Sequence, residues 1–315
     1  MDFPIVDLMD QEACRRKLAD LLHPEGLACP RCGARDGLNV HRRRPDSPVV
    51  DHRCKGRRRV FNMYTNPPWQ GTHHSPVQIL LILRGIAKGE PTAKLAREVG
   101  VGRQHLLRLR HEIQARTLAA AAHEPLPDDH TEADEMYQNA GEKGVPHADP
   151  DDPPRRRANQ AKGHGTWETD RPPVPGVTGR ESGRLWLRVG HRGTSAELVD
   201  ATVLPATGPG AMVYTDDWNG YNPLARRDRG HATVNHNRGE FARDDDGDGI
   251  REVHCNTMEG IWTGLRNFLR PFRGVSKVYL EQYVIMFEWS YNLKAVTDDY
   301  LRILLGVKAT TELVT

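Results

Sequence analysis

The sequence lacks the features of a membrane or secreted protein. No apolar run approaches the roughly 18 residues that cross a bilayer, and the opening stretch MDFPIVDLMD is acidic, without the basic region of a signal peptide. Hydrophobic residues make up only 37% of the 315 residues, and charged residues make up 27%. We therefore expect a cytoplasmic protein that has irregular stretches between its folded parts.

Cysteine is too scarce for a disulfide framework. The five cysteines are an odd number and include a single CxxC pair, which indicates metal binding or free thiols. That pair is Cys29 and Cys32, in the sequence CPRCG. Cys54 stands where a second, matching knuckle belongs, but the position of its CxxC partner is taken by Arg57. Three of the four thiols of a zinc ribbon are therefore present.

A structural Zn²⁺ site needs four ligands in a tetrahedron. His52 and His41 are both candidates for the fourth, and the spacing does not decide between them. We predict a zinc-ribbon-like module at residues 27–65, which either holds Zn²⁺ or has lost the metal and is stabilised by packing. Residues 1–26 before it are predicted to form an N-terminal helix, from about Gln11 to Leu22.

The formal net charge is only +2, so the distribution of charge is more informative than its sum. Arginine is concentrated in basic blocks at residues 41–44, 55–59 and 155–157. The second block lies in an arm of the predicted ribbon, where Arg57 and Arg58 are suited to contact phosphates. This pattern points towards nucleic acid as a partner.

Residues 73–124 have the pattern of a helix-turn-helix DNA-binding domain. A short helix from Thr92 to Val99 is followed by a turn through Gly100–Gly102 and a second helix from Arg103. Arginine and glutamine near the start of such a helix bind guanine and adenine edges. The alternative is an ordinary helical hairpin with a solvated basic face. The second helix offers Arg103, Gln104, His105, Arg108 and Arg110.

Residues 128–305 alternate between strand and helix patterns, which predicts an α/β domain. Three separated acidic residues lie in it. Asp134 is in the strand-like EADEMYQ, Asp216 ends the short apolar strand before DWNGY, and Glu259 is in the first turn of a helix that Asn256 or Thr257 caps. Carboxylates that a fold brings together can hold two divalent ions and drive phosphoryl transfer on nucleic acid.

One stretch of this domain is difficult to assign. Residues 146–182 are rich in proline, glycine and charge. We predict a disordered insertion there, between the first two strands of the domain.

The chain resembles the zinc-ribbon DDE transposases of bacterial insertion sequences, in their ISXO-like group. The likeness follows the family order over most of residues 27–294, through CPRCG, LAREVGVGRQHLLRLRHEI, EADEMYQNAGEKG, VYTDDWNGY, VNHNRGEF and HCNTMEGIW to FEWSYN. It implies a ribonuclease-H-like catalytic core in which Asp134, Asp216 and Glu259 are the catalytic acids and hold two Mg²⁺ ions. In the family, one ion activates water or a DNA 3′-hydroxyl, and the other stabilises the leaving oxygen.

Three positions near these acids leave alternatives open. Asp217 stands where the family commonly has glycine, and we prefer Asp216 because it follows the threonine of the TD pair. Glu135 is expected to point away from Asp134, as a solvated or supporting acid. Arg266 replaces a commoner lysine and is predicted either to hold a phosphate near the metals or to pair with an acid such as Glu259.

Four further residues fall in segments that match the family. His236 and His254 are either donors close to the site or buried structural histidines. Trp218 and Trp262 are expected in the core.

The resemblance implies a transposase that binds the terminal inverted repeats of its insertion sequence and catalyses metal-dependent DNA cleavage and strand transfer. Its partners are double-stranded DNA, as transposon ends and as target, and no membrane. Holding two ends implies a homodimer or higher oligomer on DNA, associated with the nucleoid. The alternative is a DNA-binding regulator, inactive or domesticated, that keeps the DNA-reading modules and has lost the chemistry.

Overall fold

The computed structural model describes residues 10–65, 68–121, 124–141, 162–235 and 238–307, and these divide into two compact units. The first unit takes the described residues up to Ala120 and those from Lys294 onward. The second unit takes Ala121–Leu293. Each unit combines helices with one β-sheet, so the predicted α/β class is confirmed.

The elements follow one another in the order α1 (Gln11–Leu22), β1 (Leu38–Arg44), β2 (Ser47–Cys54), β3 (Val60–Phe61), α2 (Pro76–Ala87), α3 (Thr92–Val99), α4 (Arg103–Ala120), β4 (His130–Tyr137), β5 (Pro173–Gly179), β6 (Leu185–Leu187), α5 (Ala196–Ala206), β7 (Met212–Asp216), β8 (Gly230–Val234), α6 (Asn256–Leu269), α7 (Lys277–Asn292) and α8 (Asp298–Leu305). No helix among the described residues has both the length and the apolar character to span a bilayer.

The first unit contains a small antiparallel sheet in the order β1-β2-β3. Around it, Cys29, Cys54 and Phe61 form a buried cluster, which is the core of the ribbon. Helix α1 precedes the sheet and spans Gln11–Leu22, the residues predicted for it. It begins at Gln11 because the Asp10 carboxylate accepts from the amides of Glu12 and Ala13.

Helices α2, α3 and α4 follow in the first unit with the bounds that the sequence indicates. Ser75 and Gln78 form a capping box at the start of α2. Gly85 allows α3 to come close, because a Cβ there would lie 2.5 Å from a methyl carbon of Leu95. Helix α3 ends at Gly100, whose φ of 71° suits glycine, and α4 begins three residues later.

Helix α8 also belongs to the first unit, which corrects the domain end that we predicted at residue 305. The Trp69 indole donates to the Leu305 carbonyl at 2.7 Å, and the guanidinium of Arg302 donates to the Leu21 carbonyl. Tyr300 is fully buried. The amphipathic pattern of α8 shows that it packs on something, but it does not show on which unit.

The second unit is built on a five-stranded sheet in the order β6-β5-β4-β7-β8. Strands β4, β5 and β6 are antiparallel neighbours, whereas β7 and β8 run parallel to β4. Strand β4 is therefore central, and its C-terminal end lies at the same edge of the sheet as the C-terminal end of β7.

Helices cover both faces of this sheet. On one face, α6 and α7 bury Trp262, Leu265 and Tyr283 against the strands. On the other face, α5 and the 3₁₀ helix Asn219–Arg227 bury Val203 and Tyr221. The sheet is thus the middle layer of three, which holds the strand ends rigidly.

The structure corrects part of the predicted disordered insertion at 146–182. Residues 142–161 lie outside the described residues, but 173–179 form the fully buried strand β5. Its glycines are needed for close packing. A Cβ on Gly176 would lie 2.5 Å from Leu187, and one on Gly179 would lie 2.1 Å from the Asp128 carboxylate. Glycine and proline here reflect tertiary contacts, which composition alone does not reveal.

Candidate active site

The three candidate acids come from three elements of the second unit. Asp134 lies in β4 and Asp216 is the last residue of β7. The parallel register pairs Glu132 with Tyr214, so continuing it by two residues sets Asp134 beside Asp216. Glu259 lies in the first turn of α6 and is exposed. Burial, above all, raises the pKa of Asp134, and the charges of Asp216 and Glu259 raise it further, so both of these acids lie near Asp134.

Asp134 is held in place by an indole. The Nε1 of Trp262 donates to its Oδ2 at 2.7 Å, and this tryptophan is 3% exposed. Burial, above all, raises the pKa of Asp134 to about 7, and the neighbouring acids add to the rise. Trp262 is in the core, as expected, and it is also the donor that orients the first acid.

Glu135 points to the other face of β4, where its Oε2 accepts from the Tyr221 hydroxyl at 2.7 Å. Tyr221 is 1% exposed. Burial raises the pKa of Glu135 to about 8, with Asp134 and Asp216 contributing. The expected alternation holds, but Glu135 is half-buried and bonded, so it supports the site and is not solvated.

The structure distinguishes the two adjacent aspartates after β7. Asp216 is half-buried, accepts from the Trp218 amide and is coupled to Asp134. Asp217 is exposed and accepts from the Asn235 side chain at 2.7 Å. This geometry favours Asp216 as the acid that faces the site.

Glu132 holds the start of α6 beside the candidate acids, a role that the sequence did not indicate. Its side chain is completely buried, and it accepts from the Thr257 amide at 2.8 Å and from the Thr257 hydroxyl at 2.9 Å. Arg180 donates to the same carboxylate at 3.0 Å and also binds the His254 carbonyl. Neither Asn256 nor Thr257 caps α6 with its own side chain. The N-cap residue is Cys255, and the Glu132 carboxylate accepts from the Thr257 amide in the first turn.

The acids have the chemistry of a divalent-cation site. Mg²⁺ binds oxygen ligands, and a nearby cation stabilises the ionised form of a buried carboxylate whose pKa is raised. The oxygens of Asp134, Asp216 and Glu259 do not all lie within 4.8 Å of one another. The three carboxylates are therefore the type of ligand that Mg²⁺ binds. Their oxygens lie farther apart than the ligands of one compact metal site.

A second acidic group lies in the loop after β8. Oxygens of Asp244, Asp246 and Glu252 lie within 4.8 Å of one another. Asp244 accepts from the amides of Gly247 and Gly249, so these acids also stabilise the turns of their own loop. The loop is an acidic turn that its own carboxylates stabilise.

The first unit brings the three ribbon cysteines together. The sulfur atoms of Cys29, Cys32 and Cys54 lie within 4.8 Å of one another, and those of Cys32 and Cys54 are 3.7 Å apart. The backbone amide of Arg31, above all, lowers the pKa of Cys29 to about 7, which favours the thiolate that binds Zn²⁺. Three thiols so placed fit a zinc site in kind.

The second knuckle keeps its shape without its second cysteine. The Gly33 amide donates to the Cys29 carbonyl at 2.8 Å, and the Arg58 amide donates to the Cys54 carbonyl at 2.8 Å. Gly33 and Arg58 both have positive φ, at 70° and 53°. Since the two knuckles share this hydrogen bond and this positive φ at matching positions, Arg57 corresponds to Cys32 of the first knuckle and hence to the position of a fourth ligand.

His52, one candidate for that ligand, is not part of the cysteine cluster. Its ring lines a cavity of about 400 Å³ together with Glu12 and Arg15 of α1. The Nδ1 atom is buried and has no hydrogen-bond partner within the part of the chain that the structure describes. Burial, above all, lowers the pKa of His52, so the ring is neutral at physiological pH.

The candidate DNA-contacting residues are mostly exposed, with one correction. Arg57, Arg58, Arg103, Gln104, Arg108 and Arg266 are exposed. Arg110 is completely buried and donates to Thr92 and to the Glu90 carbonyl, so it holds α4 to the start of α3. Among the described residues Arg266 forms no ion pair with Glu259. His236 and residues 155–157 lie outside the described residues.

Comparison with known proteins agrees with these observations. The family model of the ISXO2-like transposase domain matches residues 128–292, which include all three candidate acids. The chain is also 27% identical over 290 residues to a protein of Halobacterium salinarum (strain ATCC 700922 / JCM 11081 / NRC-1) described as an uncharacterized protein in transposable element ISH50. That match covers 90% of this chain and 92% of the relative.

Proposed function

Because the chain belongs to the family of ISXO2-like transposases, we propose that it is a DDE transposase with Asp134, Asp216 and Glu259 as its catalytic acids. It binds the terminal inverted repeats of its insertion sequence, cuts there and joins the ends to target DNA. The observation that carries this proposal is the parallel register of β4 and β7, which sets Asp134 beside Asp216, with Glu259 near enough to raise the pKa of Asp134 after the larger effect of burial.

The topology of the second unit supports a ribonuclease-H-like core. Three antiparallel strands, β6, β5 and β4, are extended by two strands parallel to β4, with helices on both faces. In such a sheet the C-terminal ends of β4 and β7 are neighbours. Asp216 ends β7, and the register sets Asp134, which lies inside β4, beside it, so both carboxylates can meet the same DNA strand.

In the chemistry that we propose, the oxygen of water or of a DNA 3′-hydroxyl attacks a phosphodiester. A new P–O bond forms on the attacked side, the opposite P–O bond breaks, and the leaving oxygen keeps the electron pair. Two Mg²⁺ ions would supply charge neutralisation and alignment at Asp134, Asp216 and Glu259. The chain itself orients Asp134 through Trp262 and fixes the start of α6 through Glu132.

The first unit is proposed to recognise DNA. Helices α3 and α4 have helix-turn-helix bounds, and Arg103, Gln104 and Arg108 are exposed at the start of α4. Arg57 and Arg58 are exposed in the ribbon, where we propose that Zn²⁺ is bound by the three cysteines. Since two ends must be held together for joining, we propose a homodimer or higher oligomer on DNA of the nucleoid.

A strand-transfer assay with end DNA and Mg²⁺ tests the proposal. Asp216→Asn should abolish nicking and joining while end binding is retained, because it removes an ionised oxygen and little volume. Asp217→Asn is the matched control, since that exposed side chain accepts from Asn235, and it should keep most activity. Loss of activity in the control alone would mean that Asp217 is the catalytic acid.

The same assay separates the proposal from the alternative of a DNA-binding regulator. The enzyme proposal fails if the wild-type protein binds its end DNA tightly and produces neither nicked nor joined strands with Mg²⁺ or Mn²⁺. Cut ends without joined product would indicate a metal nuclease.

A further inference from the structure

A basic cleft of about 480 Å³ lies in the second unit close to the candidate acids. One wall is formed by residues just past Asp134, including Tyr137 and Asn139, and the other by the C-terminal half of α6. Its charged lining residues are Lys162, Arg171, Arg266 and Arg270, and no described carboxylate lines it. The cleft is not used by the proposed chemistry of the three acids.

Arg171 is positioned in this cleft without being neutralised. Its Nε donates to the Gly163 carbonyl at 2.7 Å, and its Nη1 donates to Oδ1 of Asn139 at 2.6 Å. The ring of Tyr137 lies 6.0 Å from the guanidinium carbon. All of these partners are uncharged, so the side chain is held in one place, and its positive charge has no counterion among the described residues.

The positive charges of the cleft reinforce one another. Arg266 and Arg270 are exposed one helical turn apart, and neither guanidinium has a hydrogen bond or ion pair among the described residues. Arg266 is near enough to lower the pKa of Arg171, after the larger effect of burial. Elsewhere in this unit the chain neutralises such a group, since Arg180 is paired with Glu132. Uncompensated like charges in a cleft favour an anion.

We propose that this cleft binds the phosphodiester backbone of a single DNA strand beside the bond that is cut. This inference rests on the proposed function, because it takes the neighbouring acids as the place of cutting. Guanidinium groups bind phosphate through paired N–H donors. Arg266 and Arg270 are separated by about 6 Å along the helix, so the charges follow a chain of phosphates better than they surround one ion.

The size of the cleft suits one strand. A volume of about 480 Å³ is in the range of small-ligand pockets, which has room for a phosphate with its sugar, so one backbone enters the cleft at a time. Charged grooves that follow one backbone are how proteins bind single strands without reading their sequence.

The test is the salt dependence of binding of a short dye-labelled single strand to the full-length protein, measured by fluorescence anisotropy. Arg270→Gln should reduce the slope of log Kd against log salt by about 0.7, the loss of one phosphate contact on a single strand. Binding near ~0.1 M salt should weaken about fivefold. Arg171→Gln should do the same, and the exposed Arg226→Gln, outside the cleft, should match the wild type.

An Arg270→Gln slope equal to that of the wild type would overturn the inference, as would an equal loss in Arg226→Gln. The Arg270 side chain is exposed, and its guanidinium has no partner among the described residues. Its substitution therefore tests binding even if Arg171→Gln perturbs the fold. DNA contacts made by the first unit are the same in all the variants, so they cancel when the slopes of the variants are compared. Nicking of end DNA by the wild type is scored separately, so the cleft and the proposed function can fail independently.

Discussion

At the scale of single residues, the candidate site concentrates carboxyl groups where little water reaches them. Asp134 and Glu135 are adjacent on β4, yet one is bonded to Trp262 and the other to Tyr221, on opposite faces of the sheet. Burial raises the pKa of the first to about 7 and of the second to about 8. Without a cation, both groups therefore hold protons that the unfolded chain has released.

This proton uptake predicts how the stability of the metal-free protein depends on pH. Since the folded-state pKa values exceed those of the unfolded chain, these two groups stabilise the fold at low pH. Their contribution is lost as pH rises from about 4 to about 8, on the order of several kcal/mol in total. Denaturant unfolding in a chelator at several pH values should show the loss, and Asp134→Asn should reduce it.

Mg²⁺ provides the complementary measurement. The ion binds ionised carboxylates, so it should raise the free energy of unfolding more at pH 8 than at pH 5, where it competes with protons. An equal gain at both pH values, or none in the wild type, would contradict the assignment of these acids to a cation site.

At the scale of elements, the least predictable feature is the link between β4 and α6. The sequence indicates both elements and their acids, but Glu132 and Thr257 are 125 residues apart, and nothing local joins them. The link sets where Glu259 stands relative to Asp134. Strand β5 escaped prediction for a related reason, because Gly176 is fixed by Leu187 and Trp262, which are contacts that no local pattern contains.

Glu132→Gln tests the importance of this link. Removing the charge leaves the Arg180 guanidinium without its carboxylate partner and the start of α6 without an anion. The free energy of unfolding should therefore fall by about 3–5 kcal/mol. Arg227→Gln breaks the exposed pair with Asp200 in the same unit and should cost less than about 1 kcal/mol. Urea denaturation compares the two, and similar losses would show that the buried pair has no special role.

For the ribbon we predict a substitution that raises the affinity for Zn²⁺. Because Arg57 occupies the fourth ligand position of an intact knuckle, Arg57→Cys should complete a four-thiolate site. We expect Zn²⁺ to bind roughly tenfold tighter or more, measured by competition with a chromophoric chelator. Arg59→Cys adds a thiol two positions further on and should leave the affinity unchanged. Equal affinities in Arg57→Cys and the wild type would place the fourth ligand elsewhere.

At the scale of the whole molecule, the chain leaves the first unit at Ala120 and returns to it at Lys294. Helix α8 is the returning segment. It contributes the ion pair between Asp298 and Lys17 and the buried Tyr300 to a unit whose other elements lie before residue 121. The second unit contains all of its own strands and helices within Ala121–Leu293.

A chain ending at Leu293 should therefore damage the two units unequally. The first unit loses the core contacts of α8 and should be destabilised by several kcal/mol, while the second unit unfolds as in the full chain. Calorimetry and end-DNA binding measure the two effects. A chain ending at Val307 retains α8 and serves as the control. Equal behaviour of the two truncated chains would show that α8 is dispensable.

The return of α8 also has a consequence for the order in which the protein is made. A chain folds as it leaves the ribosome, and its early domains fold first. Here the unit that we propose to recognise DNA is finished only after the unit that we propose to be catalytic has emerged. A prematurely terminated copy would then be a poor ligand for the transposon ends, and it would not block the complete copies that are able to move the element.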